Sequence, residues 1–265
     1  MIDKLVTMVE AVERIPSGCT LALGGVTLYR RPVAFAKALV QRRRSTGQPV
    51  NLTLLVFTAG FESDLLVGAR MVSRVRTCYF GLEIFGLAPM FTYYANHGEI
   101  EIVEETEISL ALGLRARIAG VGFMPGRAWL GTDLPRLRPD VQTVTDPYSG
   151  EKLMAFPPIV PEVVVIHALK ADPEGNAQIG AHKGIDEDLV LAAEYVIVTA
   201  EEIVPRLDRA DLVAPFVHAV VHAEFGAKPT SCHPLYPIDG EALLSYTESV
   251  SDPRAFDSFM AGSGF

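Results

Sequence analysis

The sequence predicts an α/β fold in which an open, mostly parallel central sheet is flanked by helices. Two observations carry this prediction. The order strand, small-residue loop, helix occurs twice within the first 70 residues. Further short apolar runs typical of buried parallel strands then recur along the chain, with helical segments between several of them. We expect residues 1–265 to form a single domain, since a chain of this length can build one large core.

The first strand candidate, Thr20–Leu23, ends at Gly24-Gly25. A helix over 32–44 follows, because Pro32 suits a first-turn position and apolar residues recur at helical spacing behind it. The stretch NLTLLVFTAGFESD repeats this order. It predicts a second strand, a loop at Ala59-Gly60 and a helix from about Ser63.

The rest of the chain alternates in the same way. The remaining strand candidates are residues 77–80, 99–103, 119–123, 163–169, 195–199 and 218–222. The other predicted helices cover residues 3–15, 104–117, 186–194 and 201–207. Two segments rich in Pro, Gly and Asp, residues 124–160 and 225–248, are interpreted as long surface excursions or partner contacts.

Composition excludes several classes of protein. A net charge of −9 argues against nucleic-acid binding. No apolar stretch approaches the roughly 18–20 residues of a membrane span, so we expect no membrane association. Three widely spaced cysteines without a CxxC pair indicate a reduced, cytoplasmic protein. The GxGxxG and GxxxxGK[ST] motifs are both missing from the sequence, which makes NAD and ATP poor candidates.

Gly24-Gly25 is the first candidate site. Glycines between a strand and a helix allow a ligand's carbonyl, carboxylate or phosphate to approach the backbone, although an ordinary tight turn explains them as well. Arg30 and Arg31 follow directly. These arginines either hold an anionic group or lie on the surface.

Glu107 is the second candidate. It belongs to a run of five glutamates that would ordinarily be a solvated face at a helix start. If the helix begins near residue 104, however, Glu107 shares a stripe with Ala111, Leu114 and Ile118 and points toward the core or a cleft. A carboxylate there needs a partner, and Arg115 is one possibility alongside a functional role.

His218 and His222 are spaced four apart, as metal ligands on a helix are. The valines around them favour a strand instead, and the sequence offers no evident third ligand. We therefore predict no metal site.

Several segments together resemble the A (alpha) subunit of the family I CoA-transferases, closest in type to glutaconate CoA-transferase. Each segment is modest, but their order and spacing are specific. They are LALGGVTLYRRPVAFAKALV, GLRARIAGVGFMP with LGTDL, VVVIHALKADPEGNAQI, AAEYVIVTAEEIV and AVVHAEFGAKPTSC.

The resemblance implies a heteromer with a B (beta) subunit, commonly an A2B2 heterotetramer, that acts on an acyl-CoA and a carboxylic acid without a further cofactor. A glutamate of the B subunit would attack the acyl-CoA. The A subunit would shape the acyl site. Carried over residue by residue, Gly24, Gly25, Val26 and Thr27 would line this site, with Arg31 and Ala59-Gly60 nearby, and backbone N–H groups of the glycine loop would stabilise charge on the thioester oxygen.

One departure concerns Glu107. In the glutaconate enzyme type an amide side chain occupies this position, whereas a glutamate is similar to a branch of heteromeric hydrolases that open rings of CoA thioesters. There it would be a general base that activates water. CoA transfer is thus the first interpretation, hydrolysis through Glu107 is the alternative, and a non-catalytic acyl-CoA-binding subunit is the third.

Overall fold

A computed structural model describes residues 3–262. Seven parallel strands and one short antiparallel strand form the main sheet. Its parallel strands are β1 (Thr20–Leu23), β2 (Leu52–Ala59), β3 (Val72–Phe80), β4 (Glu101–Glu104), β8 (Val163–Ala171), β10 (Tyr195–Ile203) and β11 (Ala219–His222). They lie in the order β11-β10-β8-β1-β2-β3-β4, and β9 (Ala177–Gln178) pairs antiparallel with β8.

Helices cover both faces of the sheet. They are α1 (Met8–Glu13), α2 (Val33–Thr46), α3 (Phe61–Gly68), α4 (Pro89–Asn96), α5 (Glu107–Ala119), α6 (Leu134–Leu137), α7 (Asp186–Ala192), α8 (Gly240–Ser249) and α9 (Pro253–Gly262). Alternate strand residues point to opposite faces. Leu21 and Leu23 of β1 therefore join the core beneath α2 and α3, whereas Ala22 joins the core beneath α5 and α7.

The connections leave β1 and β8 in opposite directions. The chain runs outward from β1 through β2 and β3 to β4, then returns to β8 and runs outward to β11 on the other side. β1 and β8 are adjacent, with Leu23 opposite Val165. The crevice beyond their carboxyl ends is where open α/β sheets commonly bind ligands. Gly24-Gly25 lies at this crevice.

A second, antiparallel sheet lies within residues 124–156. Its strands are β5 (Met124–Gly126), β6 (Gln142–Thr145) and β7 (Lys152–Phe156), with β7 in the middle. We call residues 124–156 the antiparallel module. Trp129, Val141, Met154 and Phe156 give it a small buried core of its own.

The predicted fold class is confirmed, and β1 has the predicted bounds. Two elements are wrong. The strand predicted at 119–123 is the end of α5 and the turn after it, because Gly120 takes the left-handed conformation that ends the helix. The helix predicted at 201–207 begins with the last residues of β10, which pair with β8 through Ile203.

Two predicted helices have different limits. α1 is shorter than the predicted 3–15, because Thr7 forms a capping box with Glu10 and Leu5 pairs with Val220 beside the edge strand β11. α3 begins at Phe61 rather than near Ser63. Between residues 3 and 262, no helix combines the length and apolarity needed to cross a membrane.

Asp64 connects three helices inside the first core. It is fully buried in α3, accepts the N–H groups of Met90 and Phe91 at the start of α4, and accepts the Tyr246 hydroxyl of α8 at 2.6 Å. Burial raises the pKa of Asp64 to about 6, more than these hydrogen bonds lower it.

This carboxyl should make the stability of the protein depend on pH. Its pKa is higher in the folded than in the unfolded chain, so folding favours the protonated form. The stabilisation is complete below pH 4 and is lost as the pH rises through about 6. We expect the Asp64 contribution to the free energy of unfolding to fall by up to about 3 kcal/mol across this range. Urea unfolding of wild type and Asp64→Asn between pH 4 and 8 measures it. Equal pH slopes in the two proteins would contradict the prediction.

Candidate functional site

The glycine loop, residues 24–27, is held from below by Asp186, the first residue of α7. Both carboxylate oxygens of Asp186 accept the Gly25 N–H, at 3.0 and 3.1 Å. Asp186 also pairs with Arg30 at 2.7 Å, and both side chains are almost completely buried. The loop is therefore fixed to α7 by the hydrogen bonds of Gly25, and the Arg30–Asp186 ion pair holds the segment that follows it.

Close packing explains why both positions are glycine. A Cβ on Gly24 would lie 2.4 Å from Ile166 Cδ1 and 2.8 Å from an Asp186 oxygen. A Cβ on Gly25 would lie 2.7 Å from the carbonyl oxygens of Tyr29 and Arg30, and Gly25 has a φ of +89°. A side chain at Gly24 would therefore displace Ile166 and Asp186, and one at Gly25 would clash with the backbone that follows the loop.

Gly25→Ala should therefore destabilise the protein by about 2–3 kcal/mol, through left-handed strain plus a clash with backbone. Gly18→Ala is the matched control, since Gly18 has a φ of +80° and nothing within 4 Å of its Cβ position. We expect about 1 kcal/mol for this control. The two losses are compared by chemical denaturation, and equal losses would show that packing around Gly25 does not matter.

The N–H groups of the glycine loop have partners within the chain. Gly24 donates to Val165 O, Val26 to Tyr29 O and Thr27 to Thr58 Oγ1, in addition to the bond from Gly25 to Asp186. In this conformation the four N–H groups are not free to bind a thioester oxygen. Val26 and Thr27 are half-buried at the tip of the turn, so they offer side chains rather than backbone donors.

Arg31 lies underneath the loop and not on the surface. It is fully buried, donates to Gly25 O at 2.8 Å and pairs with Glu62 of α3 at 2.5 Å. Gly60 is the N-cap residue directly before the same helix, and a Cβ there would lie 3.0 Å from Thr27 O. Arg31 thus joins the glycine loop to the loop at Ala59-Gly60, which places the two predicted site segments side by side.

The predicted burial of Glu107 is wrong. Glu107 is exposed as the first residue of α5, because the buried face of this helix runs through Leu110 and Gly113 instead of the predicted stripe. Ile118 of that stripe is exposed too, and Arg115 pairs with Asp188 at 3.4 Å rather than with Glu107. The buried carboxylate of this segment is Glu105, which is 4% exposed.

Glu107 nevertheless lies just beyond the carboxyl end of β4, at the same edge of the sheet as the glycine loop. Burial, and after it the Glu107 carboxylate, raises the pKa of Cys78 on β3 to about 11. Cys78 donates to Phe57 O on β2 at 2.8 Å. The Phe57 ring and Val26 in turn both lie within 4 Å of the Cβ position on Gly184. Glu107 and the glycine loop thus both follow the carboxyl ends of strands of the same sheet, with Cys78 of β3 and Phe57 of β2 on the strands between them.

A buried hydrogen-bond network supports the loop from the other side. His167 contacts Glu201 at 2.7 Å, and Glu201 also accepts the Tyr236 hydroxyl and the Phe225 N–H. Burial lowers the pKa of His167; burial raises that of Glu201, but the hydrogen bonds from His167 and Tyr236 lower it overall. A neutral histidine beside a carboxylate fits both shifts.

This network fixes the segment 225–236, which in turn holds the residues directly after the glycine loop. Ser231 donates its N–H to Leu28 O, and Arg30 donates its N–H to Ser231 O. The potential metal-ligand atoms of His167, Glu201 and Cys232 lie within 4.8 Å of one another, a spacing compatible with a metal ion. Since His167 and Glu201 already bond each other, the arrangement is that of a satisfied structural network.

Sequence reasoning misses Asp186 and Glu201. Asp186 stands in the run of three acidic residues in the first turn of α7, which resembles ordinary favourable charge at a helix start. Glu201 falls at the start of the helix predicted at 201–207, although its position directly after an apolar strand is a usable signal. His218 and His222, also singled out, bond backbone groups of β10 instead of each other.

Comparison with known proteins gives a consistent result. The family model described as Coenzyme A transferase matches residues 5–222. The A subunit of the 3-oxoadipate CoA-transferase of Pseudomonas knackmussii is 31% identical, over 97% of this chain and 92% of the relative. The cholesterol ring-cleaving hydrolase IpdA subunit of Rhodococcus jostii is also 31% identical, over 98% and 91%. The crystal structure of glutaconate coenzyme A-transferase from Acidaminococcus fermentans superposes with a TM-score of 0.88 at 28% identity, over 97% and 87%.

Proposed function

The chain belongs to the coenzyme A transferase family, and on that premise we propose that it is the A subunit of a heteromeric acyl-CoA:carboxylate CoA-transferase, which it forms with a B subunit in an A2B2 heterotetramer. The carrying observation is the near full-length similarity to a protein named as the A subunit of such an enzyme. The glycine loop and the Ala59-Gly60 loop, locked together by Arg31, form the wall against which the acyl group binds. Arg31 acts as a positioning residue, because its guanidinium is buried beneath both loops.

In this reaction a glutamate carboxylate from the B subunit is the nucleophile that attacks the thioester carbon. The C–S bond breaks, CoA leaves as a thiolate, and the acyl group stays on the glutamate as an acyl anhydride. The thiolate then attacks the glutamyl carbonyl, which releases the donor acid and leaves a glutamyl-CoA thioester. An acceptor carboxylate reverses both steps and takes the CoA. This chain contributes a rigid acyl site, since its loops are cross-linked by buried ion pairs before any substrate binds.

Hydrolysis is the second candidate, favoured by the exposed position of Glu107 at the same edge of the sheet. A general base there removes a proton from water as its oxygen attacks the thioester carbon. The C–S bond breaks, and the proton passes to the departing thiolate. The similarity to one chain of a ring-cleaving hydrolase supports this candidate.

Trapping distinguishes the two reactions. The chain is co-purified with the B subunit, incubated with acyl-CoA and treated with borohydride, which reduces a glutamyl thioester. A CoA-dependent, reduced glutamate on the B subunit supports transfer. Release of free CoA that requires water and no acceptor, without an adduct, contradicts transfer and supports hydrolysis. Binding of acyl-CoA without either reaction indicates a non-catalytic binding subunit.

A further inference from the structure

Glu107 is preceded by a two-residue joint, Glu105-Thr106, between β4 and α5. Such a short joint sets the direction in which the first residue of the helix projects. Thr106 caps the helix by accepting the Ser109 N–H. Whatever holds this joint therefore also places the Glu107 carboxylate.

Arg138 of the antiparallel module holds the joint from outside the sheet. Its Nη1 donates to the backbone oxygen of Glu104 at 2.8 Å and to the Glu105 carboxylate at 2.7 Å. Asp140 fixes the other edge of the guanidinium through two hydrogen bonds, of 2.8 and 2.7 Å. Arg138 is only 6% exposed and Glu105 is 4% exposed, so the bond between these two side chains is shielded from water.

Two further side chains, Arg76 and Trp129, also bind the joint Glu105-Thr106. Arg76 of β3 pairs with Glu105 at 2.7 Å, which ties the joint to the sheet. Trp129 of the module donates its Nε1–H to Thr106 Oγ1 at 3.0 Å. The Trp129 ring packs edge-on against Phe156, within the module's core. Each of the three residues before Glu107 is thus bonded to the module.

We propose that the antiparallel module is a positioning device for Glu107, and that Arg138 and Trp129 are its positioning residues. Neither side chain touches the Glu107 carboxylate in this structure; both act through Glu104, Glu105 and Thr106. The kinetic consequence rests on the catalytic role proposed for Glu107, but the geometric coupling does not.

The thiol of Cys78 reports the coupling without any need for turnover. Burial, then the Glu107 carboxylate and, after it, the Glu105 carboxylate disfavour the Cys78 thiolate, and the other two cysteines are buried. On the purified full chain, we expect Glu107→Gln to raise the iodoacetamide alkylation rate of Cys78 at pH 9 about threefold. Arg138→Gln should produce a similar rise by letting Glu107 move away, and the double variant should not exceed the larger single effect.

Arg127→Gln is the matched control, because Arg127 is an exposed arginine of the same module that pairs with Glu151. It should leave the alkylation rate unchanged. Trp129→Phe keeps an aromatic ring in the core of the module, removes the indole N–H to Thr106 together with part of the indole ring, and serves as the second variant if Arg138→Gln does not fold. Either of two results would overturn the proposal. One is a wild-type alkylation rate in a folded Arg138→Gln or Trp129→Phe protein. The other is a double variant with Glu107→Gln in which the increases of the two single variants add up.

The assembled enzyme gives the kinetic test. If Glu107 is catalytic, Arg138→Gln should lower kcat of the Glu107-dependent reaction about 10- to 100-fold with little change in KM. The same change should cost less than about twofold in a Glu107→Gln background. A full activity of Glu107→Gln would refute the catalytic role of Glu107, and the alkylation result would still decide the positioning role.

Discussion

Asp186→Ala should lower the free energy of unfolding by about 3–5 kcal/mol, because it leaves a buried arginine without its counter-ion. The Arg30 guanidinium is fully buried, and the Asp186 side chain is 1% exposed. The substitution also removes both acceptors of the Gly25 N–H. We therefore expect the glycine loop to lose its conformation together with the stability, and acyl-CoA binding to weaken.

Asp188→Ala provides a matched control two residues along the same helix. Asp188 pairs with Arg115, but these side chains are 25% and 61% exposed, so the expected loss is below about 1 kcal/mol. Urea unfolding of both variants measures the difference. Adding Arg30→Met to Asp186→Ala should recover at least about 1 kcal/mol, since no uncompensated charge then remains buried. Equal losses for Asp186→Ala and Asp188→Ala would be incompatible with this view of the site.

The core elements of the fold are predictable because they depend on local pattern. Thr20–Leu23 and the strand after residue 51 are apolar runs bounded by polar or small residues, and each forms a strand close to its expected limits. The strand predicted at 119–123 is wrong because apolar residues continue past a helix end. Gly120 carries the correct signal, since glycine commonly ends a helix in the left-handed conformation.

The site is only partly predictable, because its contacts join distant segments. Gly24-Gly25 stands out by its place between strand and helix, yet the reason for the glycines lies in Ile166, Asp186 and the loop's own carbonyls. Arg31 looks from the sequence like a residue for ligands or solvent, and the structure buries it against Glu62. No local pattern indicates which acid an arginine will meet 31 residues away.

Glu107 shows the same limit from the other direction. The predicted stripe selects the wrong face of α5, whose buried residues include Leu110 and Gly113, and so places the wrong carboxylate inside. Glu105 is the buried one, held by Arg76 and by Arg138 of the antiparallel module. Exposure suits Glu107 better for catalysis than the predicted burial does, since a general base must reach both water and substrate.

Glu107→Gln should separate water-dependent thioester cleavage from CoA transfer in the assembled enzyme. An amide cannot accept the proton of the attacking water, so we expect hydrolysis to slow about 10²- to 10⁴-fold. Transfer depends on a nucleophile of the B subunit, so its rate should change by less than about tenfold. Free CoA released without an acceptor measures the first rate, and CoA exchange between two carboxylates measures the second.

Glu104→Gln is the control, because Glu104 is an exposed glutamate at the end of β4 that contacts Arg138 through its backbone oxygen, which the substitution leaves in place. The hydrolysis rate and the transfer rate of this variant should both stay close to those of the wild type. If Glu107→Gln also leaves both rates unchanged, Glu107 is not catalytic, and its exposed carboxylate only interacts favourably with the amino end of α5. If transfer falls as far as hydrolysis does, Glu107 acts on a step common to both reactions. The split between the two rates therefore assigns the side chain to water, to the thioester, or to neither.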